Sequence, residues 1–329
     1  MESSDTKMSE YAIQVSREHW SSDFDPALPP VTYAQPGDQI VVQTFCCSKG
    51  AVTRSISTAP ETFYTDLAYT RGMPITGPIA VPQAQVGDTL GVDVLSIQIA
   101  DQGWTMALEG HGVIGQRIRT GESRIVPIEA DHYVFQERIR LPIRPMIGCI
   151  GTTPANPLRS GLPGPHGGNM DCKLIGAGTT IFLPVLIPGA HLALGDLHAV
   201  QGDGEVGSAG VEIAGEVTMR IRLLRNLQVP LPLLETPDLI AAIYTAKDFD
   251  QAAVGAIERM ADFLVAQSGI SLADAWMLLS LAGDIRICQL VNVVKTCRME
   301  VPKTVLLQLG IDLENLWQRW EVRTEGAGE

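Results

Sequence analysis

Residues 179–206 read TTIFLPVLIPGAHLALGDLHAVQGDGEV. Two short apolar runs, each ended by Pro or Gly, lead into a Gly-Asp-x-His step and then into an acidic, glycine-rich segment. Apolar runs of about four to eight residues bounded by turn residues read as β-strands. The same texture extends from Val31 to Leu224, in DQIVVQTF (38–45), DTLGVDVLSI (88–97) and EVTMRIRLL (216–224). This part of the chain is therefore expected to be mainly β, a sandwich or barrel.

The pattern changes after Pro237. Between Asp248 and Gln267, Phe249, Ala252, Ala253, Ala256, Ile257, Met260, Phe263 and Leu264 recur at helical spacing and predict an amphipathic helix. Ser271, with Asp274 three residues on, has the form of a capping box and starts a second helix over Leu272 to Leu281. ICQLVNVVKTC (287–297) then reads as one strand, followed by Val-Pro-Lys and a charged, frayed tail. The division expected is an N-terminal extension over 1–30, a site-bearing β region over 31–234, a C-terminal α/β domain over 235–320 and an acidic tail over 321–329.

Gly-Asp occurs at the head of three extended runs, at Gly37-Asp38, Gly87-Asp88 and Gly195-Asp196, which suggests turns and a duplicated β unit. The last copy alone continues into His and Glu, which directs the search for chemistry to it.

The composition narrows the function classes. With 329 residues and 45% hydrophobic content, the chain can fill more than one core. A net charge of -13 opposes a nucleic-acid partner, whose binding draws on Lys and Arg displacing counterions. A neutral small molecule or a divalent cation meets no such barrier. The start MESSDTKMSE lacks the basic-then-apolar order of a secretory signal, and no run approaches the roughly 20 apolar residues of a spanning helix, so a cytoplasmic protein with no membrane partner is expected. Six cysteines without a CxxC pair read as reduced, buried thiols. For an enzyme of this size a symmetric homo-oligomer, dimer or higher, is the expectation.

Two segments concentrate ligand-type side chains. GPHGGNMDCK (164–173) brings His166, Asn169 and Asp171 together among glycines that let backbone approach a ligand. Extended over 170–176, it would put Asp171 and Lys173 on one face and Cys172 on the other. LGDLHAVQGDGEV (194–206) places Asp196 and His198 two apart, hence on one side of a strand, with Gln201, Asp203 and Glu205 on a pliable loop. The bland reading of each segment is a solvated Asx-rich turn. Their agreement argues against it.

The run from Pro165 to Val206 resembles the signature region of the acetamidase/formamidase family: Gly-Asn-x-Asp, Pro-Val, Gly-Ala, Gly-Asp-x-His and Gln-Gly-Asp-Gly-Glu in that order. The resemblance extends to TGPIAV (76–81), PMIGCIGTTPA (145–155), Val211-Glu-Ile213 and SLAGDIRICQLVN (280–292), leaving out about the first 30 residues and the tail. It implies jelly-roll-like and barrel-like β parts followed by a small α/β domain, hydrolysis of formamide- or acetamide-type amides to acid and ammonia, and a divalent metal, zinc foremost, with calcium or manganese as the others. The Glu109-Gly-His111-Gly run is more ionic than the family pattern leads one to expect, which bears on which amide fits.

Amide hydrolysis needs an activated water, a stabilised oxyanion and a proton for the departing nitrogen. On residue type and spacing, Asp171, Asp196 and His198 are assigned as metal ligands and Glu205 as general base. Asn169 or a nearby backbone amide is assigned to the substrate oxygen, and His166, Asp203, Glu205 and Glu212 are interchangeable in the remaining roles. His19, His132 and His191 read as structural or surface groups, and His111 as a pocket candidate. A cysteine-nucleophile amidase would need a thiolate next to a base; Cys172 and the apolar-flanked Cys149 are its candidates. A non-catalytic metal or small-molecule binding protein on the same scaffold is the remaining alternative.

Overall fold

The computed structural model describes residues 12–53, 72–227 and 229–322. Strands dominate it, and the helices lie C-terminal to residue 248, as the sequence pattern predicts. Two large sheets carry the fold. A nine-stranded sheet runs in the order Ile13–Val15, Gln39–Thr44, Gly215–Leu224, Thr89–Ile99, Thr179–Pro184, Leu233–Glu235, Leu239–Ala246, Lys295–Pro302 and Asp284–Gln289. It therefore passes without a break through residue 235, joining the β region to the C-terminal part. An eleven-stranded sheet contains the strands Ile75–Ala80, Met146–Thr152, Gly167–Asn169, Leu192–His198 and Glu212–Ile213, which surround the ligand-type residues.

Alternation explains how the sheets meet. Val92 and Val94, Ile181 and Leu183, and Met219, Ile221 and Leu223 project from the nine-stranded sheet into a core shared with Ile147, Ile150, Leu192, Leu194 and Leu197 of the other. A second core lies beneath the helix Phe249–Ser268, whose Ala252, Ala256, Met260, Phe263 and Leu264 pack with Ile240, Ala242, Met299 and Val301. Asp248 caps that helix by accepting from the Gln251 N–H at 2.9 Å, and Gly269 ends it in the left-handed region. Ser271 caps the helix Leu272–Ala282 through the Asp274 N–H as expected. No single helix among the described residues is long and apolar enough to cross a membrane.

The Gly-Asp repeats divide into two kinds. Asp38 and Asp88 are turn residues: each carboxylate accepts the backbone N–H three residues back, at 2.8 and 2.9 Å, and a strand follows. Gly195-Asp196 instead lies inside the strand Leu192–His198. The ladder to Met146–Thr152 pairs Ile147 with Leu197 and Cys149 with Gly195 and skips Asp196, whose φ is 57°.

Three expectations are corrected. Residues 170–175 form a turn rather than a strand, because Asp171 takes φ 49° and the Ile175 N–H closes on the Cys172 carbonyl; Asp171 and Lys173 consequently do not share a face. Residues 287–297 are two strands of a hairpin, Asp284–Gln289 and Lys295–Pro302. Gln289 turns the chain between them, accepting from the N–H groups of Val291 and Asn292 while its amide nitrogen donates to the Val294 carbonyl. The segment after Pro302 forms the helices Lys303–Gln308 and Leu313–Trp320, the latter inserting Leu316 and Trp317 into the second core, and the acidic tail from residue 323 lies outside the described residues.

Helix and sheet meet most closely at Gly255, where a Cβ would stand 2.3 Å from the Tyr244 ring. Gly255→Ala is expected to destabilise the protein by about 1–3 kcal/mol through this overlap. A denaturant-unfolding midpoint at or above the wild-type value would contradict the contact.

Candidate active site

Asp171, Asp196, His198, Glu205 and Glu212 converge in one buried cluster, and each is less than a tenth exposed. Four different pieces of chain supply them. Asp171 follows the strand Gly167–Asn169, and its N–H is anchored on the Gly148 carbonyl at 3.1 Å. Asp196 and His198 come from the strand Leu192–His198. Glu205 sits on the loop that follows, and Glu212 on the short strand paired to that of His198. The hairpin of the C-terminal part closes the cluster: the Gly204 N–H donates to Ile287 and Cys288 carbonyls and the Leu290 N–H to Gly204, which zips the Glu205 loop to the hairpin.

Three of the four carboxylates stand on left-handed backbone, with φ of 49° at Asp171, 57° at Asp196 and 46° at Glu205. Each such residue costs about 1–3 kcal/mol and persists where the surroundings over-determine it. The strain tips these side chains into one space, and Gly148 keeps that space open. A Cβ on Gly148 would lie 2.7 Å from Asp171 Oδ1 and 2.9 Å from Asp196 Oδ2.

Hydrogen bonds orient the first groups. Asn169 and Asn292 donate to Asp171 Oδ2 at 2.9 and 3.1 Å, which leaves Oδ1 buried without a partner. The Gln201 amide nitrogen donates to the Asp171 carbonyl at 2.7 Å, so its oxygen faces His198 Nδ1, also at 2.7 Å. An amide oxygen can only accept, hence Nδ1 carries hydrogen and Nε2 is the atom turned to the acids. Nε2 lies 3.1 Å from Glu212 Oε1 and 3.7 Å from Asp196 Oδ1. Asp196 Oδ1, Glu212 Oε2 and Asn169 Oδ1 are buried and unpartnered as well.

Electrostatics records the crowding. Burial, then Glu205 and Asp196, raise the Asp171 carboxyl well above its ordinary range. Burial, with Glu212 and Asp196 adding to it, pushes Glu205 up to about 8. Glu212 is raised by burial and by Asp196. Burial opposes the His198 imidazolium, yet Glu212 and Asp196 outweigh it and raise His198 well above its usual value. One imidazolium cannot balance four buried carboxylates.

That deficit, the unpartnered oxygens and the cradle at Gly148 together fit a divalent cation. Donor atoms of Asp171, His198 and Glu205 all lie within 4.8 Å of one another, as do those of Cys47, Asp196 and Glu212. Oxygen and imidazole donors suit zinc, manganese or calcium.

Other sequence candidates lie elsewhere. Asp203 forms ion pairs with Lys173 at 2.8 Å and Arg298 at 2.7 Å, and these hold its carboxyl below the ordinary range against the effect of burial. It braces the loop. His166 is buried edge-on to Phe24, its Nε2 unpartnered, and burial alone lowers it to about 4, so it is a neutral imidazole at physiological pH. The loop carrying Glu109 and His111 touches the site loop, through the Val113 N–H and the Val206 carbonyl at 2.9 Å. Cys149 is not free of charged neighbours as its apolar flanks suggest: burial, Asp196 and Asp171 raise its thiol well above the usual value. Cys172 is buried against Cys288 and Arg298, away from the acids. A cleft of about 660 Å³ opens elsewhere, lined by Arg222, Glu235, Lys303 and Trp317. The acids do not line it.

Sequence reasoning missed Cys47, Asn292 and the orienting role of Gln201. Gln201 stood in the signature and could have been paired with His198 as its orienting amide; Cys47 and Asn292 carry no local signal, since each reaches the site only through tertiary structure.

Comparison with known proteins places the fold and the sequence in one family. The sequence profile of the acetamidase/formamidase family matches residues 9–163 and 158–308. The solved acetamidase of Bacillus halodurans is similar in fold with a TM-score of 0.86 and 40% identity, over 91% of this chain and 100% of that one. The formamidase of Methylophilus methylotrophus is 23% identical over 65% of this chain and 68% of its own length. The acetamidase of Mycolicibacterium smegmatis is 43% identical, over 20% of this chain and only 16% of its own length. Fold and profile coincide, and the chain belongs to the acetamidase/formamidase family.

Proposed function

We propose that this chain hydrolyses small linear amides to carboxylic acid and ammonia, with a divalent cation held by Asp171, Asp196 and His198. The observation that carries the reading is the buried acid cluster around His198 Nε2, in which Asp171 Oδ1 and Asp196 Oδ1 have no hydrogen-bond partner. Names of relatives point to formamide- or acetamide-type substrates.

A bound divalent cation would polarise the amide carbonyl and activate a water. The chain's own groups supply the rest. Asn169 and Asn292 hold the Asp171 carboxylate by one oxygen and leave the other for the cation. Gln201 fixes the imidazole tautomer so that His198 Nε2 faces the site. Glu205, next to Asp171 and His198, takes the water proton and returns it to the departing nitrogen. Asn169 Oδ1, buried and unpartnered, offers an acceptor to an amide N–H, a different task from holding the substrate oxygen. The zipped Glu205 loop excludes bulk water, which strengthens each of these interactions.

A cysteine route is less well supported: Cys288 and Arg298 lower the Cys172 thiol against the effect of burial, but they are a thiol and a guanidinium rather than a general base, and burial with neighbouring acids holds Cys47 and Cys149 as thiols.

Chelator treatment is expected to abolish ammonia release from short amides, and metal add-back to restore it. Asp171→Asn should lose at least about 100-fold in kcat/KM, roughly 3 kcal/mol of transition-state stabilisation. Full turnover of a metal-free sample, measured by ammonia release beside elemental analysis, would refute the cation assignment. Cys172→Ala should keep kcat within a few-fold of wild type; complete loss of turnover in a folded Cys172→Ala protein would restore the cysteine mechanism.

A further inference from the structure

The cluster contains more ligand groups than one cation uses. Beyond Asp171, His198 and Glu205 lies a second convergent set, Cys47 Sγ with Asp196 and Glu212 carboxylate oxygens, again all within 4.8 Å of one another. Cys47 lies in the turn that follows the strand Gln39–Thr44 of the other sheet, and is 9% exposed. Its neighbour Cys46 is engaged elsewhere, with Ser48 Oγ 3.2 Å from its sulfur. Cys47 alone of this pair meets the acids.

Two observations beyond the clustering point to a ligand in this second set. Asp196 Oδ1 and Glu212 Oε2 are both buried, on residues 1% and 3% exposed, and neither has a hydrogen-bond partner. A buried carboxylate oxygen without a donor is expensive, and among the described residues no Lys or Arg reaches these two. Charge then counts the occupants. Four carboxylates with His198 neutral carry -4, and a Cys47 thiolate makes -5, which one divalent cation leaves at -3 and two bring to -1.

We infer that the cluster holds a pair of divalent cations, the second bound by Cys47 and Glu212 with Asp196 shared between the two. The inference rests on the cation reading proposed above for the same cluster. The thiol sets the class of the second ion: sulfur favours zinc or cobalt over calcium or magnesium, whereas the oxygen-rich first set discriminates less.

The test is the metal content of the full chain, stripped with chelator, reloaded with zinc or cobalt(II), freed of excess ion and measured per polypeptide. Two equivalents in the wild type, falling to one in Cys47→Ala and in Glu212→Gln, is the expected result. One equivalent in the wild type overturns the pair and leaves the first site standing; none overturns both. Two equivalents retained in both folded variants would remove Cys47 and Glu212 from the assignment. Should the variants fail to fold, cobalt titration of the wild type decides instead. A thiolate-to-cobalt charge-transfer band growing only with the second equivalent supports the pair, and saturation without such a band overturns it.

Discussion

Four buried carboxylates facing one imidazole, with no Lys or Arg among them in the described residues, form the constraint around which the rest of the protein is arranged. Such a cluster would drive itself apart unless the scaffold forced it together. Left-handed backbone at Asp171, Asp196 and Glu205 gives up local conformational preference to aim three of the acids inward. The extended core between the two sheets over-determines those conformations, since Ile147, Leu194 and Leu197 hold the strands on both sides of the kinked Asp196. The C-terminal hairpin adds the last constraint by clamping the Glu205 loop through Gly204 and supplying Asn292 to Asp171.

The arrangement separates two uses of charge. Asp203, two residues from Glu205, is neutralised by Lys173 and Arg298 and serves only to tie the loop down. Arg298, 1% exposed, also bonds Glu300 at 2.6 Å and contacts the Cys288 sulfur. The cationic side chains are thus spent just outside the cluster. Within the cluster, among the described residues, His198 is the cationic group the carboxylates meet.

Much of this was legible in the sequence because it is local. Alternation and turn residues predict the strands from residue 31 to 224, helical spacing predicts Phe249–Ser268, and Ser271 with Asp274 marks the next helix start. Asp171, Asp196, His198, Glu205 and Glu212 stand within about forty residues, in an order that resembles one family. What stayed hidden depends on tertiary context. A Gly-Asp step reads as a turn wherever it occurs, and only the register against Met146–Thr152 turns Gly195-Asp196 into a mid-strand kink. The hairpin within 284–302 escapes periodicity because Val293 and Val294 lie in its turn, where β-branched residues look like strand. Cys47, some 120 residues before Asp171, offers no local spacing at all.

The central claim is that the acid cluster exists to hold a cation, and proton release on metal binding tests it most directly. Without a cation, burial pushes Glu205 up to about 8, so it carries a proton at neutral pH, and Glu212 and Asp196 raise His198 above its usual value. A metal must displace protons from its site. Calorimetric titration of zinc into chelator-stripped protein at pH 7, in two buffers of different ionisation enthalpy, should give saturable heat whose difference between buffers reports at least one proton released per chain. Saturable binding with no proton release, or no binding, would contradict the account.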